Sequence, residues 1–280
     1  MQKILVPTDF SEQANNAVDL ASKLAQKMDA EVILLHVVED NSVTSVHVTG
    51  EIDLPDMQDR LFVLKLIEKA KTNLADAVAK YSDVNIKKEI RIGNAYHNIK
   101  DIITGHDVDL VVMGTKGTNT LTEVLMGSNA EKVVRHAACP VLTLKQGAED
   151  AEFKNIVFAT GLNDQDNSCT QVVRDFQTIF NAKIHVVRIN TPNNFEPDHQ
   201  SVPDLEKYAE KCGFSDYDIH VFNDVSEEDG IMHFADGIKA DMIAMATHGR
   251  TGFAHLLTGS IAEDVVNHAK RPVLTYVLKK

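Results

Sequence analysis

Two kinds of apolar pattern alternate along the chain, and together they predict the order of its secondary structure. Short uninterrupted runs such as Leu110–Met113 are typical of buried strands, whereas the apolar positions between Ala14 and Met28 recur at helical spacing. In the first half, strands are predicted at 4–6, 32–37, 86–92, 110–113 and 141–144, with helices at 14–28, about 57–78, 99–103 and from Ser128 to before Pro140. Strand and helix therefore alternate throughout.

The same order recurs in the second half because the chain contains an internal repeat. Gln2–Thr8 align with Lys154–Thr160 at a spacing of 152 residues (154 minus 2). Asp109–Lys145 align with residues 241–277 at a spacing of 132 (241 minus 109), and many identities fall in that stretch. The second copy is therefore shorter by about 20 residues between its second strand and its third helix, where loops tolerate length changes.

The repeat predicts two domains, 1–146 and 152–280, with the boundary near Gly147–Glu152. In the second copy, strands are predicted at 156–158, 184–189, 219–222, 242–245 and 273–277, with helices near 172–180, 205–211, 231–238 and 260–268. Short apolar strands joined by helices need a parallel sheet covered on both faces, with right-handed crossovers. We therefore predict two tandem doubly wound, Rossmann-like α/β domains, each with a five-stranded parallel sheet.

Composition and charge narrow the class of protein. The chain has 280 residues, 44% of them hydrophobic, which is enough for two packed cores, and no apolar run approaches the length of a membrane span. The net charge is −13 and both halves are acidic, which argues against nucleic-acid or anionic-membrane partners. The start of the chain does not look like a secretion signal, and three cysteines without paired spacing argue against a disulfide framework. We expect a soluble cytoplasmic protein.

A group of glycines marks the candidate ligand site. Gly114 and Gly117 follow the fourth strand, and after nine residues Gly127 and Ser128 open the last helix of the first copy. Glycine permits close backbone approach to an anion, and a helix N-terminus presents unpaired N–H groups, so this pattern suits a phosphate. It differs from a Walker A loop, because Lys116 lies within the first turn rather than before a Ser or Thr at the helix start. Each glycine also has a simpler reading as a turn residue or a helix start.

With these residues the chain resembles the universal stress protein family, whose ATP-binding branch carries a G-x-x-G-x9-G-(S/T) pattern. The segments 3–11, 34–37, 93–95 and 139–142 add to the resemblance, which covers nearly the whole chain. The resemblance implies an adenine nucleotide alpha hydrolase-like fold. It also implies that Asp9 and the backbone of Val37 contact adenosine. The phosphates would then be held by Gly114, Gly117, Gly127 and Ser128. Asp9 has a second reading, since Asp9 or Ser11 would also serve as the cap of the first helix.

The second copy departs from the pattern at two positions. Gly161 replaces the aspartate and Ala246 the first glycine, whereas Gly249, Gly259 and Ser260 are retained. The carboxylate for adenosine is lost, and a Cβ at position 246 obstructs backbone approach to a phosphate. We therefore expect one competent nucleotide site, with at most a weaker second one.

Other candidate sites are weaker. The histidines show no metal-binding spacing, and we predict no metal site. His136 recurs as His268, which favours a cation at a helix C-terminus, and Cys139 is predicted to be packed rather than nucleophilic. The acidic stretch with Glu51, Asp53, Asp56 and Asp59 is interpreted as a solvated loop. We find no catalytic triad and no general acid–base pair.

Three hypotheses about function follow. The leading one is a cytoplasmic stress-response protein that binds ATP, with or without Mg²⁺, in the first domain and uses occupancy to bias its shape or its partners. The second is a slow ATPase or nucleotide-transfer enzyme, which lacks a visible base or water-positioning residue. The third is a nucleotide-free scaffold, or a binder of a small ligand in the second domain. The resemblance also implies that the two domains pack through their final strands like a homodimer, while other exposed sheet edges leave room for pairing with further chains.

Overall fold

A computed structural model describes residues 1–39, 57–116, 126–145, 152–162, 168–248 and 261–278. Side chains at 57–60, 168–169, 247–248 and 278 are outside this description. Within the described helices, none is long and apolar enough to cross a membrane.

The first half of the chain is a five-stranded sheet with helices between its strands. Its elements are β1 (Lys3–Pro7), α1 (Glu12–Met28), β2 (Glu31–Val38), α2 (Met57–Val78), β3 (Ile86–Ile92), α3 (Ala95–Gly105), β4 (Leu110–Gly114), α4 (Ser128–His136) and β5 (Val141–Leu144). The strands lie in the order β3-β2-β1-β4-β5, and all four neighbouring pairs are parallel. The chain therefore winds to one side of β1 and then crosses to the other.

The second half repeats this arrangement. Its elements are β6 (Asn155–Ala159), α5 (Ser168–Phe180), β7 (Lys183–Asn190), α6 (Asp198–Cys212), β8 (Tyr217–Asn223), α7 (Glu227–Gly237), β9 (Met242–His248), α8 (Ile261–His268) and β10 (Val273–Leu278). Its strand order, β8-β7-β6-β9-β10, is that of the first half, again with parallel neighbours. The doubly wound α/β fold predicted from the sequence is confirmed in both halves.

The two halves share one ten-stranded sheet, because β5 pairs with β10 in antiparallel orientation. The pairing is symmetric. Thr143 donates its hydroxyl to the carbonyl of Val273 at 3.1 Å, and Thr275 donates to the carbonyl of Val141 at 3.4 Å. Both threonines are buried, so the junction leaves neither hydroxyl without a partner.

Helices cover both faces of this sheet. On one face, α1, α2, α5 and α6 enclose a continuous apolar cluster that includes residues of both halves. On the other face, α3 and α4 cover a cluster of the first half, and α7 and α8 cover a separate cluster of the second half. Because the strands are buried on both faces, their sequences are uninterrupted apolar runs.

The helix α6 is longer than the sequence pattern indicates. The prediction began near Leu205, whereas the helix begins at Asp198 and contains Pro203. Proline removes one helical N–H and is rare inside helices, so its presence conceals the first turns from a reading based on propensity. The C-terminal end is as expected, because Gly213 follows the helix with a left-handed backbone (φ 71°).

Candidate functional site

A cleft of about 840 Å³ lies beyond the carboxyl ends of β1, β2 and β4. Its walls include the first residues of α3 and α4. This is the point where the strand order reverses, since β2 lies on one side of β1 and β4 on the other. In open parallel sheets such a reversal leaves a crevice suited to ligands. Its volume is within the usual range for small-molecule sites.

Most of the predicted site residues of the first half line this one cleft. They are Asp9, Val37, Gly114, Gly127 and Ser128. Gly117, and the second-copy residues Gly249, Gly259 and Ser260, lie outside the described residues. The described residues of the motif therefore line the same cleft, although they come from four separate segments of the chain.

Asp9 lies in a tight turn between β1 and α1. Its Oδ1 accepts a hydrogen bond from the backbone N–H of Ser11 at 3.1 Å. Ser11 is the residue that caps α1, since its hydroxyl oxygen accepts from the N–H of Ala14 at 3.2 Å. The capping role that the sequence left open between the two residues thus belongs to Ser11. Asp9 orients the turn, and its side chain still lines the cleft.

Phe10, between these two residues, has a left-handed backbone with φ of 63°. This conformation is unfavourable for a bulky side chain and persists only where the surroundings hold it. Two contacts hold it here: the Thr8 hydroxyl oxygen accepts from the Phe10 N–H at 3.0 Å, and the Phe10 ring lies 4.5 Å from the ring of His36. The strain is repeated in the second half, where Leu162 has φ of 64° and its N–H donates to the Thr160 hydroxyl.

His36 is oriented by the same turn. A carbonyl can only accept, so His36 Nδ1–H donates to the carbonyl of Thr8, at 2.8 Å. The next residue, Val37, is partly buried against the core cluster under α3 and α4, as expected for its side chain. Val37 also lines the cleft.

Gly114 has a packing role that the sequence does not show. A Cβ at this position would lie 2.8 Å from the Cβ of Gln13 on α1 and 3.1 Å from the Gln13 carbonyl carbon. Glycine is therefore required for the close approach of α1 to β4. The sequence predicts this glycine as a means of bringing the backbone close to phosphate, and the structure adds a steric reason that holds without any ligand.

Gln13 supports the cleft through a contact that the sequence does not reveal. Its Oε1 accepts from the backbone N–H of Lys116 at 2.9 Å, so it holds the chain in place two residues after Gly114. The available signal was the repeat itself, because Gln13 aligns with Gln165 at the same 152-residue spacing.

The N-terminus of α4 forms the other wall. Gly127 is its cap residue and provides no side-chain hydrogen bond to it. The Gly127 N–H donates to the carbonyl of Thr115 at 2.8 Å, so that amide already has a partner within the protein. The N–H groups of the first helical turn, beginning at Ser128, have no partner within the helix and lie at the positive end of its dipole. These amides, together with the Ser128 hydroxyl, are the anion-binding groups that this wall can offer.

The charge lining the cleft differs from that of the whole chain. Lys69, Lys116 and Lys132 line it, against the carboxylates of Asp9 and Glu39. The described lining thus carries three cations and two anions in a chain whose net charge is −13. A cationic cleft within an acidic protein attracts an anion locally.

Comparison with known proteins agrees with this geometry. The model of the universal stress protein family matches residues 1–145 and again residues 152–276. The chain belongs to the universal stress protein family. Universal stress protein Slr1230 of Synechocystis is 24% identical over 298 residues, covering 99% of this chain and all of that protein. Universal stress protein MJ0577 of Methanocaldococcus jannaschii is 31% identical over 154 residues, covering 52% of this chain and 95% of that protein.

Solved structures support the tandem fold. The crystal structure of a universal stress protein from Archaeoglobus fulgidus superposes with a TM-score of 0.75, covering 98% of each chain at 19% identity. At that identity the likeness shows the fold alone, which is the arrangement of two family domains in one chain.

In the second domain of this universal stress protein, the residues equivalent to the cleft lining at the end of β2 make different contacts. Ile189, the counterpart of Val37, is buried under α7, where a Cβ at Gly230 would lie only 2.4 Å from the Ile189 Cγ2. Arg188, the counterpart of His36, forms an ion pair with Glu196 at 3.0 Å. Asn190 donates its amide to the Glu196 carbonyl at 2.9 Å. These groups are therefore committed to their own loop after β7.

The structure also gives the positions of the histidines and the cysteine that the sequence marked as weaker candidates. His136 and His268 each lie in the last turn of a helix, as expected for a cation at that end. His268 also contacts Glu228, with Nδ1 and Oε1 at 2.6 Å. Cys139 is buried just before β5, as predicted. The acidic stretch with Glu51, Asp53, Asp56 and Asp59 lies outside the described side chains.

Proposed function

We propose that this universal stress protein binds ATP with Mg²⁺ in the cleft of its first domain, and that binding rather than turnover is its activity. The observation that carries the proposal is the convergence of Asp9, Val37, Gly114, Gly127 and Ser128 on one cleft at the strand reversal. Occupancy of the cleft would then bias the shape of the protein or its choice of partner in a stress response.

The adenosine would lie at the β1–β2 side of the cleft. The Asp9 carboxylate is a hydrogen-bond acceptor suited to sugar hydroxyls, and it is held in place by the Ser11 amide. The carboxyl end of β2, at Val37, would offer backbone groups to the base. The Phe10–His36 ring pair stiffens this side, because the Phe10 backbone N–H donates to the Thr8 hydroxyl oxygen and the His36 ring donates to the Thr8 carbonyl.

The phosphates would lie at the β4–α4 side. The first amides of α4 and the Ser128 hydroxyl provide donors, and Lys116 and Lys132 provide positive charge. Mg²⁺ would accompany the phosphates, whose oxygens together with water are its usual ligands. Gln13 supports this side by holding the Lys116 amide in place.

Binding is favoured over hydrolysis by the chemistry of the described lining. Its one histidine, His36, has Nδ1 engaged with a backbone carbonyl, which is an orienting contact. The Asp9 carboxylate is engaged with a backbone amide. Neither arrangement resembles a base positioned to activate an attacking water.

The second domain is proposed to be without an ATP site. Gly161 provides no carboxylate, and Ala246 stands where the first glycine of the motif would be. The side chains that follow β7 are paired within their own loop through the contacts of Arg188 and Asn190 with Glu196.

The proposed location is the cytoplasm. Cys139 and Cys212 are buried thiols, as is usual for proteins of a reducing compartment. The family resemblance points the same way.

Equilibrium dialysis of the full chain tests the proposal. ATP with Mg²⁺ is compared with GTP and with inorganic triphosphate. The proposal predicts retention of ATP, weaker retention of GTP and still weaker retention of triphosphate. ATP would contact both the adenosine side and the phosphate side of the cleft, whereas triphosphate would contact only the phosphate side. Equal retention of all three would indicate a non-specific anion site and would contradict the proposal. Phosphate release, measured beside Gly127→Val, separates binding from hydrolysis: release above that of the variant would favour the ATPase hypothesis.

A further inference from the structure

Two histidines of the second domain meet on neighbouring strands at the end of the sheet that is remote from the nucleotide cleft. His185 lies near the amino end of β7 and His220 lies on β8, the edge strand of the ten-stranded sheet. Their rings are 5.4 Å apart between centroids, and His185 Nδ1 lies 3.3 Å from His220 Nε2. Asp218 on β8 completes a group whose ligand atoms all lie within 4.8 Å of one another.

We propose that His185, His220 and Asp218 bind a zinc ion, through His185 Nδ1, His220 Nε2 and one carboxylate oxygen. Water would complete a four-coordinate site. The ion would tie the edge strand β8 to β7, independently of the nucleotide.

The distance between the two nitrogens fits a shared metal. Zinc binds imidazole nitrogen at about 2.0–2.1 Å with near-tetrahedral angles, which places two such nitrogens about 3.3–3.4 Å apart. The observed separation of 3.3 Å matches this distance. The competing explanation is a plain hydrogen bond, in which one imidazole donates to the other, and the experiment below distinguishes the two.

Asn155 on β6 presents His185 in the form a metal requires. The side-chain oxygen of Asn155 lies 3.2 Å from His185 Nε2, and since it can only accept, Nε2 carries the proton. The lone pair of the neutral ring is then on Nδ1, the atom that faces His220. Ligating histidines usually have their other nitrogen held by an oxygen in this way.

Burial keeps both rings suited to ligation. His185 is 8% exposed, and the ring of Phe234 on α7 lies 4.9 Å from that of His220. Removal from solvent lowers the pKa of His185, with the neighbouring His220 as a second cause, and it also lowers the pKa of His220. Burial therefore disfavours the charged, protonated form of each ring.

Lys183 would compete with a metal ion for the Asp218 carboxylate. Its Nζ lies 2.9 Å from Asp218 Oδ2, and the pair is exposed. Binding would exchange this ion pair for a bond between the carboxylate and the metal, and an exposed ion pair stabilises the fold only slightly. Removing the lysine should thus strengthen zinc binding, whereas a purely structural histidine pair would be indifferent to it.

The first domain provides an internal comparison. The counterpart of His185 is Ile33, which is fully buried, and the position paired with Leu35 on β3 is Glu89 rather than histidine. The cluster is therefore a feature of the second domain and is not imposed by the fold.

Zinc titration of the full, untagged chain, stripped of metal by chelation, tests the proposal. Calorimetry should show one zinc per chain with no change on adding ATP, and Co²⁺ should give the strong visible absorption of a four-coordinate site. We expect His220→Gln to abolish binding, Asn155→Ala to weaken it about 10- to 100-fold, and Lys183→Met to strengthen it. His233→Gln, at an exposed histidine elsewhere in this domain, is the matched control.

Two results would overturn the zinc site, and one measurement separates it from a plain hydrogen bond. No zinc binding by the folded parent protein, or binding that survives His220→Gln, would overturn the proposal. A variant of buried His185 risks misfolding, so the role of His185 is measured in the parent protein by NMR of its imidazole nitrogens. Zinc should change the chemical shift of His185 Nδ1 and leave Nε2 protonated. Unchanged nitrogen shifts at saturating zinc would establish the plain hydrogen bond instead.

Discussion

The side-chain oxygen of Asn267 accepts a hydrogen bond from the backbone N–H of Met126 at 2.9 Å. Asn267 belongs to α8 of the second domain, whereas Met126 immediately precedes Gly127, the cap of α4 in the first. The Met126 side chain packs against the core clusters of both domains. The helix end proposed to hold phosphates is thus attached to the neighbouring domain.

Asn267→Ala removes this attachment and should weaken ATP binding in the first domain. The hydrogen bond is worth about 0.5–1.5 kcal/mol, which corresponds to a loss of about 2- to 10-fold in affinity if it is fully coupled to the site. Calorimetric titration of ATP with Mg²⁺ measures the change, with Gln200→Ala on the exposed face of α6 as the control. Unchanged affinity in a stable variant would show that the two domains are not coupled through this contact.

Arg135 and Glu263 join the same two helices. The guanidinium forms an ion pair and a hydrogen bond with the Glu263 carboxylate, and Glu263 is 6% exposed. Arg135→Met should lower the free energy of unfolding by about 1–3 kcal/mol, because a buried carboxylate loses this charged partner. Urea denaturation measures the loss. Adding Glu263→Leu to that variant should restore part of it, and a double variant less stable than Arg135→Met would contradict this explanation.

Two glycines of the motif region, one in each domain and at positions that are not equivalent, should respond in opposite ways to alanine. Gly114→Ala brings a Cβ within 2.8 Å of Gln13 and should destabilise the protein by about 1–3 kcal/mol. Gly161→Ala meets no atom within 4 Å and needs no left-handed backbone, so it should be neutral or stabilise the protein by about 0.4–1 kcal/mol. Thermal unfolding compares the two variants. Equal melting temperatures would refute the steric role assigned to Gly114.

His233 and Asp224 form an exposed pair whose charge should depend on pH. Their Nδ1 and Oδ2 atoms lie 2.7 Å apart, and the hydrogen bond raises the pKa of His233 and lowers the pKa of Asp224. The histidine's contribution to stability is complete below its unfolded pKa of 6.5 and is lost as pH rises through the higher folded value. The aspartate's contribution is present above 3.8 and is lost as pH falls through its lower folded value.

NMR titration of the His233 ring tests this pair directly. In Asp224→Asn the pKa of His233 should fall back towards its ordinary value. His199, exposed on α6, provides a reference ring that the substitution should leave unchanged. A His233 pKa that is the same in the parent and the variant would show that the pair does not form in solution.

The sequence allowed the fold to be predicted because its information is local and repeated. Apolar runs such as Leu110–Met113 mark strands buried on both faces, and the repeat showed that the second half has the same order of elements. The family motif names residues, such as Asp9 and Ser128, that the fold brings to one cleft, and their role as a site stays a prediction. Local pattern was misleading only where a residue contradicts its own element, as Pro203 does inside α6.

What the sequence could not show depends on contacts between distant segments. Gln13 reaches Lys116 across 103 positions, and Met126 meets Asn267 across 141. His185 and His220 are 35 residues apart, a spacing that corresponds to no metal-binding motif, and only the pairing of β7 with β8 brings them together. Such sites become visible when the register of the strands is known.

The central claim is that ATP binds to one cleft per chain, and calorimetric titration of ATP with Mg²⁺ into the full chain tests it most directly. The test compares the parent protein with a double variant, Asp9→Ala with Gly127→Val, and with Gly161→Ala as the second-domain control. The account predicts one site per chain in the parent and in the control, and none in the double variant. Two sites, binding that survives the double variant, or no binding by the folded parent would contradict it.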